Sequence, residues 1–94
     1  MTVYVDDMYL SSLGRFGRMK MSHMIADTPE ELIEMADKIG LSRRWIQHKG
    51  LHTEHFDVSM GARSAAIKSG ALPISMKELS QKLRDRKCTK TSSS

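Results

Sequence analysis

Cysteine is almost missing from this chain: Cys88 is the only one in 94 residues. A lone thiol excludes an intramolecular disulfide and any zinc site built from cysteines. It sits in a basic segment, where an exposed and inert thiol is expected. Aromatic residues are also scarce, at 5%, with Trp45 the single tryptophan. No apolar run approaches the roughly 18 residues of a membrane-crossing helix, and the N-terminus has no signal-peptide pattern. The expectations are therefore no membrane association and a cytoplasmic location. No serine lies in a Gly-x-Ser-x-Gly elbow, which leaves nucleophilic catalysis without a candidate. Neither the Walker pattern nor the dinucleotide fingerprint is present. There are no internal repeats, and the final Thr-Ser-Ser-Ser is the one low-complexity segment.

What is present belongs to an ordinary small domain. The chain is 39% hydrophobic and 28% charged, a balance typical of globular proteins. Its length fits one domain with a modest core. Eight methionines supply adaptable packing and contact surface, and homo-oligomerisation is expected to add buried area. The net charge is +4. From Lys77 to Lys90 six Lys/Arg face Glu78 and Asp85, an excess of four that accounts for the whole net charge. This segment predicts a weak, salt-sensitive polyanion contact. Residues 1–86 are read as a single α/β domain and 87–94 as a disordered basic, Ser-rich tail.

Thr2–Asp7 reads as a first strand that ends on Asp6 and Asp7. Two carboxylates leaving a strand suit metal ligation or general-base work; the plainer reading is a strand stop made of turn-forming residues. Residues 8–20 read as a loop. Within it Arg15 and Arg18 lie among Gly14 and Gly17, a weak phosphate cradle or a solvated connection. Residues 21–26 read as a second strand. It carries His23, either a ligand or a hydrogen-bonded core or edge residue, and leads to Asp27. Thr28-Pro29-Glu30-Glu31 is a strong helix start, with Leu32, Ile33, Met35, Ala36 and Ile39 on one face and Gly40 as the stop. Residues 43–48 read as a third strand. Its Trp45 is a core anchor or a stacking platform.

The densest ionisable stretch is His52-Thr53-Glu54-His55-Phe56-Asp57-Val58-Ser59. It reads as a short strand or an extended approach to a helix capped by Asp57 or Ser59. Residues 71–74 read as an edge strand because of Pro73. Ser75–Glu78 forms a second capping box that opens a helix carrying Leu79 and Leu83. The pattern predicts an α/β fold of three to four strands and about three helices. If the sheet is mostly parallel, strand C-termini share an edge, and Asp6, Asp7, Asp27, Gln47 with His48, and the 52–57 stretch meet there.

Two chemistries fit these residues. In one, Asp6, Asp7, His23, Asp27, Trp45, Gln47, His55, Asp57 and Arg63 line a pocket for a nucleotide or other phosphorylated small molecule. Arg15, Arg18, Arg43 or Arg63 holds phosphate there, and Trp45 or Phe56 stacks on the base. In the other, Asp6, Asp7, His55 and Asp57 hold Mg²⁺, Mn²⁺ or Zn²⁺ for phosphodiester hydrolysis. The plain alternative is that these groups only satisfy buried backbone and cap the next helix.

The order of motifs resembles a family of short, uncharacterised phage and bacterial proteins carried as a domain of unknown function. The likeness covers about residues 1–75. It rests on Val3-Tyr4-Val5-Asp6-Asp7, Ser22-His23-Met24-Ile25-Ala26-Asp27-Thr28, Glu31-Leu32, Ile39-Gly40-Leu41, Trp45-x-Gln47, His55-Phe56-Asp57-Val58, Arg63, Ala66-Ile67 and Gly70-Ala71. The resemblance implies no established activity. It marks Asp6, Asp7, His23, Asp27, Gln47, His55, Asp57 and Arg63, and leaves His52 and Glu54 as solvated loop. Family members usually carry Tyr where Phe56 stands, which argues against an essential phenol there. Many bacterial members are longer and carry cysteines between the Trp-x-Gln and His-x-Asp motifs; this chain has the shorter, phage-like form. That form points to an accessory protein in the host cytoplasm that sequesters a nucleotide signal and so counteracts host defence. The alternatives are a metal-dependent nuclease or phosphodiesterase and a module that binds and inhibits a host protein.

Overall fold

A computed structural model describes residues 2–10, 15–16 and 19–92, with side chains for 2–10 and 20–85. The fold is α/β. Its strands are β1 (Val3–Val5), β2 (Arg15–Phe16), β3 (Met19–Ala26), β4 (Phe56–Ser59) and β5 (Leu72–Pro73); its helices are α1 (Pro29–Lys38), α2 (Met60–Lys68) and α3 (Met76–Ser92). The mixed sheet runs β4–β3–β1–β5, with two-residue β2 paired to the start of β3. Strand β3 is antiparallel to both β1 and β4, whereas β5 is parallel to β1.

Alternation explains the two faces of the sheet. Val3, Val5, Met24, Ala26, Phe56 and Val58 are buried together with Leu32, Met35 and Ala36 of α1 and Ala66 of α2. These strand residues share one face because side chains alternate along a strand. The opposite face carries Tyr4, Met21, His23, Ile25, Asp57 and Ser59. Phe56 is wholly buried in the core, so it does not serve as a stacking platform on the polar face.

Local signals set the helix ends. The Thr28 hydroxyl accepts from Glu31 N at 3.3 Å and donates to Glu31 Oε1 at 2.9 Å. Gly40, at φ 74, lets Leu41 N reach Ala36 O (2.8 Å) while Gly40 N reaches Asp37 O (3.3 Å), the paired bonds of a glycine helix stop. Ser75 and Glu78 exchange reciprocal bonds of 3.1 Å at the start of α3. That helix continues through Ser92, across the point where the sequence places a tail.

Three expectations change. Residues 43–48 form no strand: Arg43–Trp45 is a 3₁₀ turn, followed by a single bridge between Gln47 and His55. Only Ile46 of this segment packs on the core, and the Arg43 guanidinium is held at α1 by Asp37 at 2.7 and 3.2 Å. The expected loop 8–20 is a 3₁₀ turn at Met8–Leu10, then β2 and the start of β3. The sheet is mixed, because this connection returns β3 antiparallel beside β1. Among the described residues no helix is long and apolar enough to cross a membrane.

Replacing Phe56 with Ala should remove about 3–5 kcal/mol of stability, measured by denaturant unfolding. A loss below about 1 kcal/mol would contradict its place in the core.

Candidate functional site

The site follows from the register. Val5 pairs with Met24, which pairs with Phe56, and His23 pairs with Asp57. The next row therefore brings Asp6, His23 and Asp57 together across three strands. Here the backbone ladder changes partners. Asp6 N still donates to His23 O at 3.0 Å, but His23 N donates to the Asp6 side chain, Oδ1, at 2.8 Å. Met8 N donates to the same oxygen at 3.2 Å. The carbonyl of Asp6 is left to accept from Arg63 Nε at 2.9 Å. Asp6 is fully buried, and these bonds supply the partners that a buried carboxylate requires.

Those contacts orient His23. Its Nδ1 lies 2.8 Å from Asp6 Oδ2; a carboxylate only accepts, so Nδ1 carries the proton and Nε2 points into the site. His55 is fixed in the same manner. Its Nδ1 lies 2.7 Å from the carbonyl of Thr53, so Nδ1 donates, and Nε2 faces Asp57 Oδ1 at 3.4 Å. His23 Nε2 is 4.0 Å from the same oxygen. The two imidazoles meet edge to face, centroids 5.1 Å apart. One donor atom from each of His23, His55 and Asp57 lies within 4.8 Å of the others.

His48 stands beside this triad, its ring 5.3 Å from that of His55 and its Nδ1 2.8 Å from Thr53 Oγ1. It has φ 53, a left-handed conformation that a non-glycine residue adopts at some energetic cost. The sequence places it next to Gln47 but offers no signal that the turn returns its ring to His55.

The electrostatics are coupled. Hydrogen bonding from His55 holds the Asp57 carboxyl below its ordinary range; burial opposes this, and the His55, His23 and His48 charges add to it. Burial disfavours the His55 imidazolium, but hydrogen bonds to Asp57 and the Thr53 carbonyl, with attraction from Asp57 and Asp6, outweigh it. The His55 pKa is therefore raised.

The other expected site residues separate. Asp7 Oδ1 accepts from Met76 N at 3.0 Å and so caps α3. Asp27 Oδ2 accepts from Thr2 N at 2.9 Å. Because β3 is antiparallel, Asp27 leaves the sheet at the end opposite Asp6. Arg63 lies 4.7 Å over the Tyr9 ring and braces Asp6 from α2. Gln47 bonds the His55 backbone at 2.8 and 3.1 Å. Trp45 is 54% exposed, with the Arg44 guanidinium 5.0 Å over its ring, and is no core anchor. Glu54, expected in solvated loop, is 6% exposed and accepts from Gly50 N at 2.9 Å. Arg18 and the side chain of Arg15 lie outside the described residues.

Residues 3–86 match the model of the family described as "Protein of unknown function (DUF4031)", and the chain belongs to that family. No curated protein and no solved structure matches the chain.

The two pKa shifts predict a stability window for the metal-free protein. The raised His55 contributes fully below its unfolded value, about 6.5, and its contribution is lost as pH rises through the folded value. The depressed Asp57 contributes above its unfolded value, about 3.9, and is lost as pH falls through the folded one. The pair is thus most stabilising between about pH 4 and 6.5. Melting temperatures of the wild type should fall relative to His55→Gln as pH rises from about 6 to 9. Parallel profiles would refute the coupling.

Proposed function

We propose that His23 Nε2, His55 Nε2 and a carboxylate oxygen of Asp57 hold a divalent transition metal, and that the protein is a metal-dependent phosphodiester hydrolase. The observation that carries this reading is the arrangement of the two imidazoles. Each uses its Nδ1 proton on a fixed acceptor, Asp6 or the Thr53 carbonyl, and turns its other nitrogen toward the same carboxylate oxygen. Metal-binding histidines are oriented by just such outer partners. Tetrahedral ligands bonded at 2.0–2.1 Å stand about 3.3 Å apart. The separations are 3.4 and 4.0 Å to the shared carboxylate oxygen and no more than 4.8 Å within the set, so a metal would draw the two imidazoles toward each other by side-chain movement.

The donor set narrows the ion. Two imidazoles and one carboxylate favour Zn²⁺, Mn²⁺ or Fe²⁺ over Mg²⁺, which prefers oxygen ligands and keeps its waters. Three protein ligands leave room for a water, and a metal lowers the pKa of bound water toward neutrality. His48, whose ring lies 5.3 Å from that of His55, would be the base for the proton of such a water. In this reading Asp6 orients His23, and Asp7 and Asp27 have structural roles.

A second reading is nucleotide binding without turnover, including sequestration of a host signal. It is favoured by Trp45, which lines an open groove of about 320 Å³ together with Asp57 and Gln47. Both readings place a phosphorylated ligand beside Asp57.

Calorimetry with Zn²⁺ or Mn²⁺ should give one site per chain and a raised melting temperature. His23→Ala or His55→Ala should abolish binding, and Asp6→Asn should weaken it about 10–100-fold. Because protons compete for His55, the metal-induced rise should grow with pH, opposite to the slope of the metal-free protein. Hydrolysis of bis(p-nitrophenyl) phosphate should require the metal and stop with chelator. Absence of stoichiometric metal binding refutes the proposal; binding without hydrolysis of any phosphodiester favours the second reading.

A further inference from the structure

Three successive residues on the polar face of β3 sit in three different places. Met21 lines the open groove with Leu41, Trp45, Gln47, Asp57, Ser59 and Ala62. His23 belongs to the triad. Ile25 lines a second cavity, about 410 Å³, with Tyr4, Leu51, Glu54 and Lys82 among its walls. Alternate residues of a strand are about 6.6–6.8 Å apart, so the groove, the triad and the cavity follow one another along a single line. The neighbouring residues repeat this order. Asp57 belongs to both the triad and the groove, and Glu54 of the cavity precedes His55 of the triad.

We infer that the triad lies between two subsites, and that its ligand is a phosphodiester flanked by a nucleoside on each side. This rests on the metal reading above and adds the substrate class to it. Each subsite has a character that suits a base. The groove offers the exposed Trp45 ring and the amide of Gln47, a stacking surface beside a hydrogen-bonding group. Arg44, against that ring, adds positive charge at the rim for the backbone of the ligand. The cavity has the size of a small-molecule site and combines apolar walls from Ile25, Pro29 and Leu51 with polar groups. Those groups are Asp27, Glu54 and Asp85 against one amine, Lys82, whose Nζ lies 4.0 Å from the Tyr4 ring centroid. Three carboxylates to one amine repel a phosphate seated in the cavity and accept the amino edge of a neutral ring. This polarity disfavours nucleoside di- and triphosphates and favours a diester joining two nucleosides. A linear dinucleotide, a cyclic dinucleotide and a step of single-stranded nucleic acid share that chemistry.

Trp45 is the only tryptophan, so fluorescence excited selectively at tryptophan, and not at Tyr4 of the cavity, reports on the groove alone. The Zn²⁺-loaded protein is titrated with AMP, with the linear dinucleotide ApA, with a 3′,3′-cyclic dinucleotide and with a single-stranded hexanucleotide. At least one of the three diesters should quench Trp45 and bind at least about tenfold more tightly than AMP, as expected for one additional stacked base; which one does so identifies the natural source. Leu51→Asp, at a residue 58% exposed and so tolerant of change, should remove that advantage while leaving metal stoichiometry unaltered. Trp45→Phe, followed by calorimetry, should keep the advantage, and Trp45→Ala should lower the affinity for AMP and diester alike. Equal affinity for AMP and all three diesters, with metal binding intact, overturns the two-subsite inference and leaves the metal centre standing. Failure to bind Zn²⁺ overturns both.

Discussion

Asp6 is the point at which this small fold and its polar site become one object. Its two carboxylate oxygens take the backbone N–H groups of Met8 and His23 and the imidazole of His23, and its carbonyl takes Arg63 from α2. One fully buried residue therefore ties β1 to the turn that follows it, to β3 and to the helix on the core face. A buried carboxylate is costly unless such partners surround it, and removing one partner costs more than the pair contributes. His23 owes its direction to a contact that the fold cannot easily do without.

Around that point the labour divides by face. The core face is ordinary packing of Val, Met, Ala and Phe against α1 and α2. The polar face carries the imidazoles and Asp57, which are partly exposed and coupled in charge. Alternation along β3 and β4 keeps the two functions apart, so neighbours in sequence such as Phe56 and Asp57 serve opposite sides of the sheet. The triad takes His23 from β3, Asp57 from β4 and His55 from the bridge just before β4; 29 residues, 27–55, separate the two strands, and only the antiparallel register of β3 brings them together.

Much of this was legible in the chain. The first strand, the capped helix after Thr28, the second capping box at Ser75 and the edge character of Pro73 each have a local physical cause, and each stands where the sequence places it. His55 and Asp57 were marked by density of ionisable groups, and Asp6 and His23 by their place in motifs. What could not be read was direction. Assuming a parallel sheet brought Asp7 and Asp27 to the same edge as Asp6; an antiparallel β3 sends Asp27 to the far end, and Asp7 turns to cap α3. The segment at 43–48 alternates like a strand, but a 3₁₀ turn at Arg43–Trp45 takes it off the sheet and leaves only Gln47 paired, with His55. Burial of Glu54 and the return of His48 depend on a turn whose geometry no local pattern specifies.

That turn has a consequence for how the protein can change. The pair Gln47–His55 closes it with two backbone bonds, and between those posts it carries Gly50, Leu51 and Glu54 to the wall of the larger cavity. The posts hold the His55 backbone, and the Thr53 carbonyl holds its ring. Length and composition of residues 49–52 can thus drift, reshaping what the cavity admits, while His23, Asp57 and the sheet stay in place. The segment is a replaceable cassette on a fixed frame, and divergence in ligand choice among related chains has an inexpensive route through it.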